Sequence, residues 1–389
     1  MKCKLSDICS FRKGKVEVEN LNAKNYISTE NMLPNKCGIT EASSLPTVSL
    51  TQEYKNGDIL VSNIRPYFKK IWQAQYDGGC SNDVLVFVPK PNMDKDFLYY
   101  VLADDDFFTY SMATSKGTKM PRGDKTSIMQ YEVPLIDLQV QKKIASVLKA
   151  LDEKIELNNE INNNLEQQYI SIVDNLLSKL TQYKIYSLLE VADCQNGRAF
   201  YKEGYDPNGA FVIDLGNVNT SGNFVRTAAD KYISLDRYKE PKLEKYRVYK
   251  NDIVMVMTDR KSTMELLGNV GKIYKDGYYL LNQRMYRIRA KKGINTNYLY
   301  ACLNSTETSN FLKRKALGSV QKYVNTGEIN SIEIKVPSSE KMEEIASILD
   351  PIFSQMESNI LENESLNELR DILLPKLMSG ELDVSDIDL

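Results

Sequence analysis

The sequence predicts a mixed α+β protein in which two globular α/β domains are joined by two long helices that form an antiparallel coiled coil. Two observations lead to this fold class. The chain of 389 residues contains an internal repeat of about 190 residues, and each copy of the repeat ends in a long stretch with the apolar periodicity of a helix. The composition, 42% hydrophobic and 26% charged, is typical of a globular protein.

The internal repeat rests on six short motifs that recur in the same order. They are residues 5–14 with 188–197, 56–60 with 250–254, 97–100 with 298–301, 117–118 with 318–319, 133–134 with 336–337, and 144–148 with 345–349. Chance could supply one such match, but six in order indicate two copies of one unit. The sequence therefore predicts a pseudo-twofold internal repeat.

Each copy has a globular part and a helical part. Residues 1–135 and 181–337 alternate short apolar runs of strand type with turns rich in Gly, Asn and Asp, as expected for α/β domains. Residues 136–180 form the first helical part, and residues 338–389 form the second, which ends in an acidic tail. These four segments are the predicted domains.

An apolar seam with alternating steps of four and three residues runs along both helices. Two Asn side chains interrupt each seam at its centre, which favours pairing of the two helices with each other. In the first helix the seam comprises Ile144, Leu148, Leu151, Ile155, Asn158, Asn162, Leu165, Tyr169, Ile172 and Leu176. In the second helix it comprises Ile345, Leu349, Ile352, Met356, Asn359, Asn363, Leu366, Arg370, Leu373 and Leu377, always 201 positions later.

The two helices are expected to run antiparallel. A helix of about 40 residues is about 60 Å long, whereas a domain of about 155 residues has a radius of gyration of about 15 Å, too small to carry the chain back along the helix. Because a buried Asn amide opposite leucine would stay unpaired, the register places Asn158 against Asn363 and Asn162 against Asn359. The same register pairs Leu148 with Leu373, Ile155 with Leu366, Leu165 with Met356 and Tyr169 with Ile352.

Two prolines affect the expected ends of the second helix. Pro351 follows Asp350 and is predicted to occupy the first position of a helix, where its missing N–H has no consequence. Pro375 is predicted to kink or end the returning helix.

Charge is distributed unevenly along the chain, although the whole chain carries only −2. Residues 1–134 carry a net charge of +1, residues 135–180 carry −2, residues 181–337 carry +9 and residues 338–389 carry −10. Basic globular domains next to acidic helices are expected when the domains bind phosphate and the helices bind another partner.

Basic residues cluster with aromatic and amide side chains at several places in both copies. Such side chains contact DNA phosphates and base edges, and Gly-rich basic loops bring backbone amides close to phosphates. In the first copy the predicted DNA-binding residues are Arg65, Tyr67, Lys69, Lys70, Lys116, Thr118, Lys119, Arg122 and Lys125. In the second copy they are Arg260, Lys261, Asn282, Gln283, Arg284, Arg287, Lys313, Arg314, Lys315, Ser319, Gln321 and Lys322.

The sequence offers no motif for catalysis or for a metal or cofactor. It has no histidine, which excludes Ser-His-Asp and Cys-His triads and histidine metal sites. Residues 268–272 have the wrong spacing for a phosphate-binding loop and are interpreted as a turn. Glu333-Ile-Lys335 has the spacing of a nuclease motif but no counterpart in the first copy. The six cysteines lack C-x-x-C spacing and are interpreted as reduced thiols.

Membrane insertion and secretion are not expected. No apolar run reaches the roughly 18 to 20 residues of a bilayer span, and residues 1–8 lack the apolar core of a signal peptide. The sequence is therefore interpreted as that of a cytoplasmic protein.

The whole chain resembles the specificity subunit of a type I restriction-modification system, in which two target-recognition domains are each followed by a long helix. The motifs that carry the resemblance are residues 57–67 (Gly-Asp-Ile-Leu-Val-Ser-Asn-Ile-Arg-Pro-Tyr), 133–141 with 144–148, 268–272 with 282–283, and 366–382. Together they extend over nearly all of the sequence.

The resemblance implies a division of labour within a larger complex. Each recognition domain would read one half of a two-part site in double-stranded DNA, and the coiled coil would set the gap between the halves. Two methyltransferase subunits would dock along the helices, and restriction and motor subunits would join through them. The chain itself would hold no cofactor, whereas S-adenosylmethionine, ATP and Mg would be used by the partner subunits.

Two other classes of function fit the sequence less well. A stand-alone DNA-binding nuclease or a methyltransferase-associated enzyme would need a carboxylate cluster or an N-P-P-[YF] motif, and the sequence contains neither. A coiled-coil scaffold that binds only proteins would not explain why basic charge is concentrated in the duplicated globular parts.

Overall fold

The computed structural model describes residues 2–200, 206, 208–219, 224, 230–259, 263–319 and 321–384. The chain divides into two units, residues 1–157 with 362–389 and residues 158–361. Each unit therefore combines one globular domain with parts of both long helices. Within the described residues, none of the helices has the length and apolarity that a membrane crossing requires.

The first unit is built around two four-stranded sheets. One sheet has the order β2-β9-β6-β7, the other has the order β3-β5-β8-β4, and β1 pairs with β10. The strands are β1 (Lys2–Lys4), β2 (Cys9–Phe11), β3 (Lys15–Glu17), β4 (Tyr26–Ile27), β5 (Leu50–Tyr54), β6 (Ile59–Ser62), β7 (Ile71–Gln73), β8 (Gly78–Cys80), β9 (Val84–Pro89) and β10 (Glu132–Pro134). The helices are α1 (Leu5–Ile8), α2 (Lys95–Ala103), α3 (Asp105–Ala113), α4 (Lys125–Ile128) and the long α5 (Leu138–Lys179).

The second unit has the same kinds of sheet. Its sheets have the orders β12-β20-β16-β18 and β14-β13-β19-β15, with the pairs β11-β22 and β17-β21. The strands are β11 (Tyr183–Ser187), β12 (Ala192–Asn196), β13 (Ala210–Ile213), β14 (Lys231–Ile233), β15 (Arg247–Val248), β16 (Ile253–Val256), β17 (Thr258–Asp259), β18 (Val270–Lys272), β19 (Tyr279–Leu281), β20 (Met285–Ala290), β21 (Lys322–Tyr323) and β22 (Glu333–Pro337). The helices are α6 (Leu188–Val191), α7 (Leu235–Tyr238), α8 (Thr296–Leu303), α9 (Thr306–Lys315), α10 (Thr326–Asn330) and the long α11 (Ser339–Ser379).

The order of the strands repeats between the units. The first sheet corresponds strand for strand, and in the second sheet β4-β8-β5 corresponds to β13-β19-β15, with one parallel and one antiparallel contact in each case. The fourth strand differs, because β3 lies beside β5 whereas β14 lies beside β13. The predicted fold class, a repeated α/β domain with two long helices, is confirmed.

A buried aspartate holds the turn before the central strand in each unit. Asp58 accepts two hydrogen bonds from Arg12, one of them from Nη2 at 2.7 Å. Asp252 accepts two from Arg289, at 2.6 and 2.7 Å. Such two-pronged pairs are among the stronger hydrogen bonds, so the repeated Asp-Ile motif that precedes β6 and β16 has a structural role.

The long helices run antiparallel in both units. In the second unit Asn359 Nδ2 donates to Asn162 Oδ1 at 2.8 Å, and the Tyr169 ring lies 4.9 Å from the ring of Phe353. In the first unit Asp152 forms an ion pair with Arg370 at 2.8 Å. The Nδ2 atom of Asn363 donates to the backbone carbonyl of Ile155 at 3.5 Å. The predicted direction and the Asn162–Asn359 contact are confirmed, and Asn158 and Asn363 are buried as well. Tyr169 also contacts Phe353, which the prediction did not name, and Ile352 packs half-buried against the same core.

The helix start predicted at Pro351 is wrong, because α11 is continuous from Ser339 to Ser379. Pro351 lies inside the helix, flanked by Leu349 and Phe353, which are 0% and 1% exposed. An interior proline costs a helix about 3 kcal/mol, and burial of each large apolar side chain contributes about 1.5 to 3 kcal/mol. Packing of the flanking residues therefore outweighs the missing hydrogen bond, and Pro375 does not end the helix either.

Both long helices contribute side chains to the hydrophobic core of each unit. The core of the first unit contains Leu148 from α5 and Leu374, Leu377 and Met378 from α11. The core of the second unit contains Tyr169 and Val173 from α5 and Met342, Ile345, Leu349, Phe353 and Met356 from α11. Neither globular domain therefore closes its core with residues of its own repeat alone.

The paired asparagines yield a test of the helix register. Asn359→Leu should destabilise the second unit by about 1 to 3 kcal/mol, because the buried Oδ1 of Asn162 loses the donor that it accepts from. The double variant with Asn162→Leu should recover most of this loss, since two apolar side chains then face each other. The measurement is the shift of the urea unfolding midpoint followed by circular dichroism.

Asn164→Leu is the matched control, because Asn164 is exposed on the same helix. The control should leave the midpoint nearly unchanged. A single Asn359→Leu variant as stable as the wild-type chain would contradict the register.

Candidate nucleic-acid interface

The loop after β6 and the hairpin before α4 lie side by side in the first unit. Lys116 and Arg122 exchange two backbone hydrogen bonds, at 2.9 and 3.0 Å, which close the hairpin. Gly117, at a φ of 93°, turns the hairpin, and the Arg65 N–H donates to the Pro121 carbonyl at 2.8 Å. Two basic clusters predicted separately thus form one surface. This first basic surface comprises Arg65, Tyr67, Lys69, Lys116, Thr118, Lys119 and Arg122.

The turn Pro66–Phe68 of this surface has a strained backbone residue at each end. Arg65 and Lys69, which flank the turn, have left-handed φ angles of 52° and 49°, a conformation that costs a non-glycine residue roughly 1 to 2 kcal/mol. A neighbouring loop holds the turn in place, because the N–H groups of Asn35 and Lys36 donate to the carbonyls of Phe68 and Lys69 at 2.8 and 2.9 Å. Strain of this kind is typical of ligand-binding loops.

The cations of the first basic surface differ in how far they are already paired. Lys119 is exposed and has no ion-pair partner among the residues the structure describes. Arg122 pairs with Asp83 at 3.2 Å, and Lys116 pairs with Asp124 at 2.8 Å, which holds the pKa of Asp124 down at about 2. Because Lys116 and Arg122 are 81% and 55% exposed, these pairs are weak and can be exchanged for phosphate contacts.

Two further predicted cations of the first copy lie apart from this pattern. The Lys70 ammonium donates to the Thr29 carbonyl at 2.6 Å, and burial lowers its pKa. This contact corrects the prediction for Lys70, which joins two loops instead of facing a ligand. Lys125 is exposed at the start of α4, with its ammonium 6.0 Å from the ring of Phe11.

The second unit repeats the strand-end and hairpin arrangement. Leu317 and Tyr323 exchange backbone hydrogen bonds at 2.8 and 3.0 Å, and the Val324 N–H donates to the Met257 carbonyl at 3.0 Å. The Met257 N–H donates to the carbonyl of Arg284 at 2.9 Å. A second basic surface results, which comprises Gln283, Arg284, Ser319, Gln321, Lys322 and Tyr323.

Arg284 and Gln321 are the side chains of the second basic surface best placed to receive a ligand. Arg284 is exposed, has a left-handed φ of 71°, and makes no ion pair within the described part of the chain. Among the residues that the structure describes, the buried Nε2 atom of Gln321 has no hydrogen-bond partner. Buried polar groups are nearly always paired, so the unpaired amide indicates a donor that a ligand can satisfy.

Arg287 and Asn282 correct the prediction for the second copy. Arg287 is 8% exposed, and its Nη1 donates to the carbonyls of Lys245 and Arg247 at 3.1 and 2.9 Å. Burial lowers its pKa. Asn282 is also buried, at 6% exposure. Side chains alternate between the two faces of a strand, and Arg287 falls on the face of β20 near residues 245–247, so its role is structural. Asn282 Oδ1 accepts a hydrogen bond from the Phe200 N–H at 3.4 Å.

The positions of the remaining predicted residues of the second copy do not test their contact with DNA. Lys313, Arg314 and Lys315 occupy the last turn of α9, where cations also stabilise the helix dipole. Lys315 pairs with Glu328 at 3.0 Å. Their contact with DNA stays a prediction, and Arg260 and Lys261 lie outside the described residues.

Two residues next to these surfaces were missed by sequence reasoning. Lys36 lies in the loop that holds the strained turn, with its side chain 16% exposed and paired with Asp105 at 3.0 Å. The composition Asn35-Lys36-Cys37-Gly38 is a turn signal that could have identified it. Tyr323, 39% exposed, stands in the second hairpin where Arg122 stands in the first. Its position at the end of the basic run 319–323 was the available signal.

Metal and thiol chemistry have little support at these surfaces. No group of three or more Cys, Asp and Glu side chains among the described residues is placed to hold a metal ion. The six cysteines are free thiols, and burial raises the pKa of Cys9 and of Cys302 to about 12.

Comparison with known proteins gives consistent matches. The sequence model of the type I restriction modification DNA specificity domain matches residues 1–167 and 181–370. The type I restriction enzyme HindI specificity subunit of Haemophilus influenzae is 24% identical over 431 residues, covering 92% of this chain and 94% of that protein. The MjaVIII specificity subunit of Methanocaldococcus jannaschii is 24% identical over 321 residues, covering 76% and 72%.

A solved structure has the same fold. The crystal structure of a type I restriction-modification system S subunit from M. genitalium aligns with a TM-score of 0.51 at 16% sequence identity. The alignment covers 97% of this chain and 96% of that one.

Two arginines of one strand region yield a test of the corrected assignment. Arg287→Ala should destabilise the second unit by about 2 to 3 kcal/mol, because two buried carbonyls lose a charged donor. Arg284→Ala should change stability by less than about 0.5 kcal/mol, as expected for an exposed residue. Urea unfolding of both variants, followed by circular dichroism, distinguishes them, and equal stabilities would contradict the assignment.

Proposed function

The chain belongs to the family of type I restriction modification DNA specificity domains, and from this premise we propose that it reads a two-part DNA site as the specificity subunit of a type I restriction-modification system. The observation that carries the proposal is the duplicated basic surface. Each unit presents a hairpin bonded to the end of its central strand. The first hairpin carries the exposed cations Lys116, Lys119 and Arg122, and the second carries the half-buried Gln321 and Lys322 beside the exposed Arg284. Two such surfaces suit two half-sites.

The two surfaces differ in the side chains they present, which supports recognition of two different DNA sequences. In the first basic surface Arg122 forms an ion pair with Asp83. At the matching positions the second carries Arg284 and Tyr323, bonded to the strand end through equivalent backbone contacts. Arginine reads guanine edges, and amides read adenine edges. A shared backbone with different polar groups is therefore suited to two half-sites of unlike sequence.

The partners of the chain follow from the same proposal. Double-stranded DNA occupies the basic surfaces, and two methyltransferase subunits dock along the acidic helices. Restriction and motor subunits join through the methyltransferase, and the whole complex acts on DNA in the cytoplasm. S-adenosylmethionine, ATP and Mg are used in the partner subunits, so the chain selects the site and the partners perform the chemistry.

Salt dependence tests the DNA contact of the first basic surface. Each phosphate contact contributes about 0.9 to the slope of log affinity against log salt concentration. The double variant Lys119→Ala with Arg122→Ala should therefore lower the slope by about 1 to 2, measured on the chain reconstituted with its methyltransferase subunits and a DNA that carries the site.

Lys2→Ala is the matched control. Lys2 is also exposed and paired with a carboxylate, Glu132, but it lies on β1, outside the first basic surface. An unchanged slope in the double variant would contradict the assignment of this surface, and a wild-type chain with no salt-dependent affinity would favour a protein-only scaffold.

A further inference from the structure

A groove of about 400 Å³ opens in the first unit between α2, α5 and the strand β7. Trp72 and Tyr99 supply aromatic surface to its lining. The charged lining side chains are Lys95, Asp96, Lys149, Asp152, Glu153 and Glu156. Carboxylates thus outnumber ammonium groups by two.

The equivalent place in the second unit is filled by side chains of the chain itself. The ammonium of Lys272 lies 5.5 Å from the ring centre of Tyr274 and 5.6 Å from that of Phe353, and the Lys272 residue is only 4% exposed. Lys250 forms an ion pair with Glu357 at 2.6 Å. Two lysine side chains therefore occupy a site formed by aromatic rings and a carboxylate.

The backbone establishes which residues correspond between the units. The Gly57 N–H donates to the Ala74 carbonyl at 2.7 Å, and the Asn251 N–H donates to the Ile273 carbonyl at 2.8 Å. The residues on either side of Ala74 and Ile273 are therefore equivalent, and the helices correspond at the offset of 201. The two lysines Lys250 and Lys272, and Tyr274, one of the rings that contact Lys272, are replaced in the first unit by Asn56, Gln73 and Gln75.

These replacements leave two carboxylates of the groove without an ion-pair partner among the described residues. Glu156 corresponds to Glu357, but the residue opposite is Asn56 instead of lysine. Glu153 and Glu156 are exposed and make no ion pair within the described ranges. The two other carboxylates are engaged, Asp96 with Lys149 at 3.2 Å and Asp152 with Arg370 at 2.8 Å.

We propose that this groove receives a lysine or arginine side chain of a protein partner. A cation is attracted to the face of an aromatic ring and to a carboxylate, and the second unit has both interactions in its own filled site. The inference rests on the proposed function in one respect, because the partner is a subunit of the same complex. The groove is then a docking point that distinguishes the first unit from the second.

Trp72 makes the groove directly observable, because it is the single tryptophan of the chain. The full chain, without DNA or other subunits, is titrated with the peptide acetyl-Gly-Lys-Gly-amide while tryptophan emission is followed. A saturable change is expected. The same peptide with an acetylated lysine amine should give none, because acetylation removes the charge.

Variants of the two free carboxylates test the origin of the binding. Glu153→Gln with Glu156→Gln should weaken peptide binding about fivefold, since each exposed charge pair is worth up to about 1 kcal/mol. Glu160→Gln, an equal change of charge at an exposed position of the same helix, should not alter it. The triple variant Asn56→Lys, Gln73→Lys, Gln75→Tyr should abolish the response by filling the groove as in the second unit.

The proposal is overturned by an unsaturable response, by an equal response to the acetylated peptide, or by equal weakening in Glu160→Gln. Glu153 and Glu156 lie on the surface, so the effect of replacing them remains interpretable if the triple variant does not fold. A chain that binds the peptide but no DNA would overturn only the proposed function. A chain that reads DNA without responding to the peptide would overturn only this inference.

Discussion

The antiparallel pairing of the two long helices is the constraint on which both globular units depend. Each unit closes its hydrophobic core with side chains from both helices, so a change of register would uncover several apolar residues at once. Positions of the two helices that correspond at the offset of 201 make different contacts in the two units. Tyr169 contacts the ring of Phe353 in the second unit, whereas Arg370 forms an ion pair with Asp152 in the first. Exchanging these partners would bury a charge against a ring, which favours the observed pairing.

The two copies keep their backbone arrangement and differ in their surfaces. The order of the strands, the aspartate before the central strand and the hairpin bonded to its end occur in both units. Side chains at matching surface positions differ, as with Asp83 and Arg284 or with Arg122 and Tyr323. The same division explains the groove beside α2, which is filled in one unit and open in the other. Function in this chain thus resides in side chains placed on a repeated scaffold.

The sequence predicted features that depend on periodicity and failed where tertiary packing decides. The repeat, the helix seam and the Asn162–Asn359 contact follow from spacing alone, since burial of one helix face requires them. The role of Arg287 could not be read from its charge, because strand alternation and a covering turn bury it. Pro351 was misleading because the packing of its neighbours outweighs a lost hydrogen bond. The groove was invisible in the sequence, since it arises from which short side chains replace longer ones across the repeat.

The central claim is that two similar units read two separate DNA sequences. It is tested most directly by mapping methylated bases across the genome of a host that expresses this chain with its methyltransferase. The account predicts one methylated motif made of two specified parts separated by a fixed number of unspecified base pairs. A single uninterrupted motif, or two parts separated by a variable gap, would contradict it.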